Sequence, residues 1–284
     1  MTRPAVANVA FIGTEGSGKS VLMVTLAAAY SVPGEVFYLR SRTKATEEYT
    51  RRGIALLQGA ATSPQWLPSN DPGTCKELEW EMQVGGTTRC VIHVVDGAGQ
   101  DFRALFGEEQ ALDNATLNET QRKLLAFVRS AAVVVLAVNL EDFLVDVEPN
   151  TDRRLTSEWA LRFPLDQYLA ASPRTQAALL FTGSKRYEAY LKTHGTWGDV
   201  AKKYLPSVIH SSLSSGQLTV LAVSAINEVQ PDPNGEAHPV PALGFTSDGL
   251  QELLQWISNA VSIHDTPNPL MREWQKVLRA TGLV

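Results

Sequence analysis

Cysteine is almost missing from this chain: 284 residues contain two, Cys75 and Cys90. A small fold stapled by disulfides is thereby excluded. If Gly85-Gly86 makes a two-residue hairpin turn, residue 84 pairs with 87, 81 with 90 and 75 with 96. The two thiols then do not face each other and no bridge is expected. Long apolar runs are missing too. No stretch approaches the ~20 residues that a membrane-spanning helix needs, and no charged, then apolar, then small leader pattern opens the sequence. Clustered positive charge is the third absence. Lys and Arg number 25 against 30 Asp and Glu, for a formal net charge of −5. That balance argues against nonspecific binding to nucleic acid or an anionic membrane, which needs a basic patch. Repeats and low-complexity tracts do not occur. The expectation is a cytoplasmic protein with no nucleic-acid partner and no transmembrane segment.

What is present is ordinary globular composition, 44% hydrophobic and 19% charged, with material for a sizeable core. Apolar runs alternate with helical periodicity, as in an α/β domain with a mostly parallel sheet. Strands are expected at 6–12, 76–84, 88–95, 132–138, 177–182 and 219–223. Asn118 and Gln121 form a capping-box pattern ahead of a helix carrying Leu124, Leu125 and Val128. Leu250, Leu253, Leu254, Ile257 and Val261 recur at helical spacing behind Ser247 and Asp248, which predicts an amphipathic helix laid on the sheet.

Strand 76–84 departs from the buried pattern. Leu78, Trp80, Met82 and Val84 alternate with Glu77, Glu79, Glu81 and Gln83, as in an antiparallel edge strand with one wet face. Its acidic row reads as a guard against edge-to-edge pairing, with a recognition face for a basic partner as the other reading. Two stretches read as insertions. Residues 35–73 hold a short apolar run at 35–39, a helix around 46–57 and a Pro/Ser/Asn segment at 63–73. Residues 227–247 contain Pro231, Pro233, Pro239 and Pro241, a density that predicts an irregular surface loop. The domain is expected to span 1–264, followed by a tail, 265–284, with a short helix at about 270–280.

The most informative residues are Gly13-Thr14-Glu15-Gly16-Ser17-Gly18-Lys19-Ser20, a complete G-x-x-x-x-G-K-[ST] phosphate loop. An apolar strand precedes it and a helix-forming run from Val21 follows. That context is what the chemistry requires. Backbone N–H groups wrap the β-phosphate, the helix N-terminus adds positive potential, Lys19 reaches the β/γ oxygens and Ser20 ligates Mg²⁺. Nucleotide contacts are therefore expected from Glu15, Gly16, Ser17, Gly18, Lys19, Ser20 and Val21. At the end of a second strand stands Asp96-Gly97-Ala98-Gly99-Gln100. An Asp there can hold the Mg²⁺ hydration shell. Gly99 lets a backbone N–H approach the γ-phosphate, and Gln100 is placed to orient attacking water.

On these residues the chain resembles the GTPases of the translation-factor-related (TRAFAC) class, to which the small Ras-like GTPases belong. Asp96-Gly97-Ala98-Gly99-Gln100 is similar to the D-x-x-G-Q switch II element of that class, and the resemblance runs from Val6 to about His264. It implies a P-loop NTPase fold: a three-layer α/β/α sandwich, mostly parallel, with one antiparallel edge strand. It also implies Mg²⁺ held by Ser20, Thr74 and Asp96, hydrolysis assisted by Gln100 and Lys19, and GTP/GDP as ligands. Thr74 stands at the distance from Asp96 that a small-GTPase hairpin gives, with Thr62 and Thr43 as alternatives. Ser224-Ala225-Ile226 is similar to the S-A-[KL] element that contacts a guanine oxygen.

The N/T-K-x-D element departs from the class. Aligned as Ser184-Lys185-Arg186-Tyr187 it keeps the base-stacking lysine and loses the specifying Asp; aligned as Thr182-Gly183-Ser184-Lys185 it changes both. Glu15, where small GTPases favour glycine, implies slow intrinsic hydrolysis. Within the class, the long segment before Thr74 resembles the bacterial double-GTPase families of conflict-system operons, which implies a regulatory or effector protein as partner.

Other residues read as structural. His93 is expected as a satisfied core histidine, and His194, His210, His238 and His264 show no metal-ligand spacing. Trp66, Trp80, Trp159, Trp197, Trp256 and Trp274 read as packing anchors, and Asn139 as a turn residue. No G-x-S-x-G nucleophile motif occurs outside the phosphate loop. Two rival functions stay open: a phosphate-loop kinase or ATPase, favoured by the missing Asp, and a non-hydrolysing scaffold with nucleotide as a structural element, which Glu15 allows.

Overall fold

Strand β1 (Ala7–Gly13) is buried from Val9 to Gly13, as a central parallel strand between two helical layers must be. The computed structural model describes residues 7–14, 16–59, 64–68, 75–97, 117–140, 143, 158, 160–162, 165–166, 176–213, 218–231, 237–240 and 247–265. Around β1 lie β2 (Phe37–Ser41), β3 (Cys75–Val84), β4 (Thr87–Gly97), β5 (Val133–Asn139), β6 (Gln176–Thr182) and β7 (Leu218–Ala222). They form one seven-stranded sheet in the order β2-β3-β4-β1-β5-β6-β7. Pairing is parallel from β4 through β1, β5 and β6 to β7, and only β3 runs against its neighbours.

Helices cover both faces. On one side α1 (Lys19–Ala29) and the last helix, α7 (Leu250–Asp265), bury Leu22, Met23, Leu26, Leu253, Leu254 and Ile257 against Phe11, Trp80, Ile92 and Leu180. On the other, α3 (Glu119–Ser130), α5 (Trp197–Tyr204) and α6 (Pro206–Leu213) pack on Ala10, Ile12, Leu136, Leu179 and Phe181. A short α4 (Glu188–His194) precedes α5, and α2 (Lys44–Gln58) lies against α1. The result is the three-layer α/β/α sandwich. Both amphipathic helices read from periodicity are present, and α3 opens on a full capping box: Gln121 N–H donates to Asn118 Oδ1 at 2.8 Å and Asn118 N–H to Gln121 Oε1 at 3.0 Å. Among the described residues no helix is long and apolar enough to cross a membrane.

Four local expectations need correction. Strand β3 is antiparallel but not an edge, because residues 37–41, read as part of an insertion, pair with it as β2 and take the edge position. Its acidic row is matched by cations on and just after β2: Arg40 meets Glu81 at 2.8 Å and Arg42 meets Glu79 at 3.1 Å. The hairpin register also slips. Both Gly85 (φ +55°) and Gly86 (φ +78°) supply the left-handed turn and Val84 faces Thr87, but beyond a bulge Met82 faces Cys90 and Cys75 faces Gly97. The extra residue is Arg89, whose guanidinium reaches Ser258 O and Ser262 Oγ on α7. Cys90 is buried and unbridged.

Within 227–247, β8 (Val229–Pro231) and β9 (Ala237–Pro239) form a small antiparallel ribbon. In a two-stranded ribbon every strand has an outward edge, so a proline without an N–H costs no ladder bond there. Last, His93 packs edge-on against Phe127 at 4.8 Å, yet its buried Nε2 makes no hydrogen bond among the described residues, so it is packed but not satisfied. The tail 265–284 lies outside the described residues except for Asp265.

Candidate nucleotide site

The phosphate-loop residues sit where β1 gives way to α1. Gly13 ends β1 with no room for a side chain, since a Cβ there would lie 2.6 Å from Ala137 O and 2.7 Å from Ser17 Oγ. Gly16 and Gly18 take φ of +75° and +73°, a backbone that turns the loop back on itself and that L side chains adopt only with strain. Gly18 is the N-cap of α1 and offers no side-chain cap, so this helix start carries the positive potential of an anion site. Ser17 and Lys19 are buried at 1% and 8% exposure. The Ser17 hydroxyl makes no hydrogen bond among the described residues. An orphaned hydroxyl and a helix start without a side-chain cap, beside a buried lysine, are features that a phosphate seated in the loop would fit.

Neighbouring strand ends hold the loop in place. Thr182, the last residue of β6, donates from Oγ1 to Ser17 O at 2.7 Å and lies 3.2 Å from Val138 O. Asn139, the last residue of β5, donates from Nδ2 to Gly16 O at 3.4 Å, and Tyr187 O–H donates to Asn139 Oδ1 at 3.2 Å. Asn139 is therefore a strand residue that braces the loop, not a turn residue. The sequence reading missed Thr182, Asn139 and Tyr187. The available signal was positional: in a parallel sheet, the polar last residues of strands adjacent to the phosphate-loop strand arrive at the same crevice.

The residues expected to face a metal lie only partly within the described ones. Ser20 lies in the first turn of α1. Asp96 lies in β4 two residues beyond Val94, which pairs with Phe11 as Gly13 lies two beyond Phe11, so the backbones of Asp96 and Gly13 are level. Glu15, Thr62, Thr74, Gly99 and Gln100 lie outside the described residues. Thr43 is engaged elsewhere: as N-cap of α2 its Oγ1 accepts from Thr46 N–H at 3.1 Å. No group of three metal-ligating side chains occurs among the described residues.

On the base side, Ser224 follows β7 and is fully buried. It exchanges two backbone bonds of 2.9 Å with Asp248, and its Oγ donates to Ile226 O at 3.1 Å. Ser184 N–H donates to Val223 O at 3.0 Å, which brings the turn after β6 against the turn after β7. Lys185 meets Glu188 at 2.7 Å and Asp248 at 3.7 Å. The bond to Glu188, and then its charge, raise the lysine pKa above its ordinary value. Val21, Ile226 and Trp66 share one apolar cluster with Val24 and Leu57, while Ala225 packs on the α1/α7 core. The Arg186 guanidinium lies 5.7 Å from the Trp66 ring centre. Of the other tryptophans, Trp80 is fully buried and Trp197 stacks on Phe181 at 4.9 Å. The structure thus gathers Gly16 to Val21 at one point and Lys185, Ser224, Ala225 and Ile226 at a second, joined through Thr182.

No protein-family model matches the chain, and no curated protein matches it by sequence. Among solved structures it is similar to a bacterial selenocysteine-specific elongation factor, EF-Sec: 14% identity over 90% of this chain and 29% of that one, TM-score 0.39. It is similar to the elongation factor SelB of Methanococcus maripaludis, solved with the GTP analogue GppNHp: 11% identity, 90% and 34% covered, TM-score 0.41. A third is the G domain of the T. maritima FeoB iron transporter: 14% identity, 92% and 99% covered, TM-score 0.37. The chain spans about a third of the length of the two elongation-factor chains.

Proposed function

We propose that the chain is a nucleotide-dependent switch of the TRAFAC GTPase class that binds GTP in preference to ATP and hydrolyses it slowly with Mg²⁺. The observation that carries this reading is the loop itself: glycines at positive φ before α1, with Lys19 buried beside them and Thr182 bonded to Ser17 O. In this reading Lys19 compensates phosphate charge and backbone N–H groups from Glu15 to Val21 surround the phosphates. Ser20, Thr74 and Asp96 are the metal-side residues. When bound, Mg²⁺ supplies neutralisation of charge on the β- and γ-oxygens. Gly99 admits a backbone N–H to the γ-phosphate, and Gln100 orients the attacking water. Lys185, Ser224, Ala225 and Ile226 belong to the base side.

Slow turnover follows from Glu15 and implies a regulatory or effector protein as partner, in the manner of the bacterial double-GTPase families. The domain boundaries at 1–264 and 265–284 and a cytoplasmic location belong to the same proposal. A second reading, an ATPase or kinase, draws on one observation. Counted from Thr182, the residue that touches the loop, the base-reading element has Lys185 where its Asp should stand.

Calorimetry of the nucleotide-stripped chain with GTP, ATP and their diphosphates in Mg²⁺ separates the two. GTP is expected to bind more tightly than ATP; equal or tighter ATP binding favours the second reading. Hydrolysis is checked by single-turnover assays over hours, in which Gln100→Leu keeps GTP affinity and slows turnover. Parent-rate hydrolysis by Gln100→Leu, together with equal amide-exchange protection of residues 63–75 and of the segment after Gln100 in di- and triphosphate, would remove the switch and leave a constitutively nucleotide-bound scaffold.

A further inference from the structure

We propose that Asp248, in the turn that leads into α7, supplies the carboxylate that reads the base edge and that the turn after β6 lacks. This rests on the nucleotide reading above. Guanine presents two adjacent donors, N1–H and the 2-amino group, beside one acceptor, O6. A carboxylate accepts both donors at once, and backbone N–H groups suit the acceptor. In this chain the position three residues beyond Thr182 holds Lys185, a donor that can accept nothing. Two carboxylates face that lysine, Glu188 and Asp248.

Geometry selects between them. Glu188 opens α4 and closes an i,i+3 contact with Lys185 on its own segment. Asp248 is instead locked to Ser224 by two reciprocal backbone bonds of 2.9 Å. It therefore stands beside Ser224-Ala225-Ile226, the segment expected to offer amides to a base oxygen. Acceptor and donors then come from two paired backbones at the carboxyl ends of β6 and β7, next to the strand end that Thr182 ties to the loop. The Asp248 side chain is 52% exposed, so it is accessible to a ligand from solvent. Lys185, at 3.7 Å, holds it from one side and leaves a carboxylate edge for the base. The carboxylate has moved from the strand-end turn after β6 to the turn before α7, with a lysine in its former place.

The test is Asp248→Asn, measured by calorimetry against GTP, ATP and xanthosine triphosphate beside the parent chain and Glu188→Gln. Xanthine carries a carbonyl acceptor where guanine has its 2-amino donor, so the amide N–H of Asp248→Asn donates to that carbonyl while its amide oxygen still accepts from N1–H. Asp248→Asn is expected to bind GTP about 10- to 100-fold more weakly and to gain xanthosine triphosphate by a similar factor, with ATP unchanged. A gain of affinity cannot arise from misfolding. Glu188→Gln should leave all three affinities within about twofold. Parent-like GTP affinity in Asp248→Asn without the xanthine gain overturns the inference while guanine binding by the parent chain stands. The xanthine gain appearing in Glu188→Gln instead overturns it in favour of Glu188. A parent chain that binds no guanine nucleotide removes the functional reading and this inference together.

Discussion

The two halves of the crevice are built differently. At the phosphate loop the contacts are buried and run through backbone: Thr182 and Asn139 reach carbonyls of Ser17 and Gly16, Gly13 has no space for a methyl group, and Lys19 is almost closed off from solvent. Around Lys185 and Ser224, a backbone exchange between the buried Ser224 and Asp248 is rimmed by exposed charged side chains: Lys185 with Glu188 and Asp248, and Arg186 over Trp66. Phosphate is the same ligand in every nucleotide, so its cradle can be made of main chain and strand ends that also hold the sheet together. In the proposed reading base identity is set by side chains at the rim, where a substitution costs the fold little.

That comparison can be broken or sharpened by substitution. The largest effect is expected from Lys19→Ala, which leaves phosphate charge uncompensated. Triphosphate affinity should fall by about 2–4 kcal/mol in calorimetry while far-UV circular dichroism stays native. Unchanged affinity would mean that the buried half does not hold phosphate. Thr182→Val comes next, because it keeps the side-chain shape and removes the donor to Ser17 O. We expect about 1–3 kcal/mol lost in urea unfolding, together with weaker triphosphate binding. A loss of stability alone would make Thr182 a sheet residue and not a brace of the loop.

The smallest effect belongs to a partly buried charge away from the crevice, Glu81 on β3. Hydrogen bonds from Gln83, then Thr88, and the Arg40 guanidinium lower the Glu81 pKa to about 2, against the opposing effect of partial burial. A carboxyl group depressed in the folded state stabilises above its unfolded value of 4.5. That contribution is lost as pH falls from there toward 2. Glu81→Gln should therefore lower stability at pH 7 by under about 1 kcal/mol and flatten the acid limb of the unfolding curve. A loss several times larger would show that the hydrogen bonds to Glu81 hold β2 and β3 together as firmly as the buried contacts hold the loop.

The legibility of the sequence follows the same division. Strands β1, β4, β5, β6 and β7 were readable because they are apolar on both faces. Helices α3 and α7 were readable because a capping box and an apolar stripe are local patterns. The acidic alternation of β3 was legible as antiparallel, but its place was not: Arg40 on β2 and Arg42 just after it meet Glu81 and Glu79 across a sequence gap that no local pattern spans. The β8/β9 ribbon was hidden by prolines that an outward edge tolerates, and the Arg89 bulge by a long-range bond to α7.

For the site, the run from Gly13 to Ser20 was recognisable from sequence alone, because a phosphate cradle is contiguous backbone whose glycines and lysine must stand at fixed spacing. Asp96 and Ser224 could be placed by their positions at strand ends. The grouping of Thr182, Asn139 and Tyr187 around the loop, and of Lys185, Asp248 and Ser224 at the rim, was decided only when the parallel sheet brought separate strand ends and the turn before α7 into one crevice. Local chemistry is written along the chain, whereas the pairing of distant turns depends on strand order and register, which the packing of the whole sheet selects.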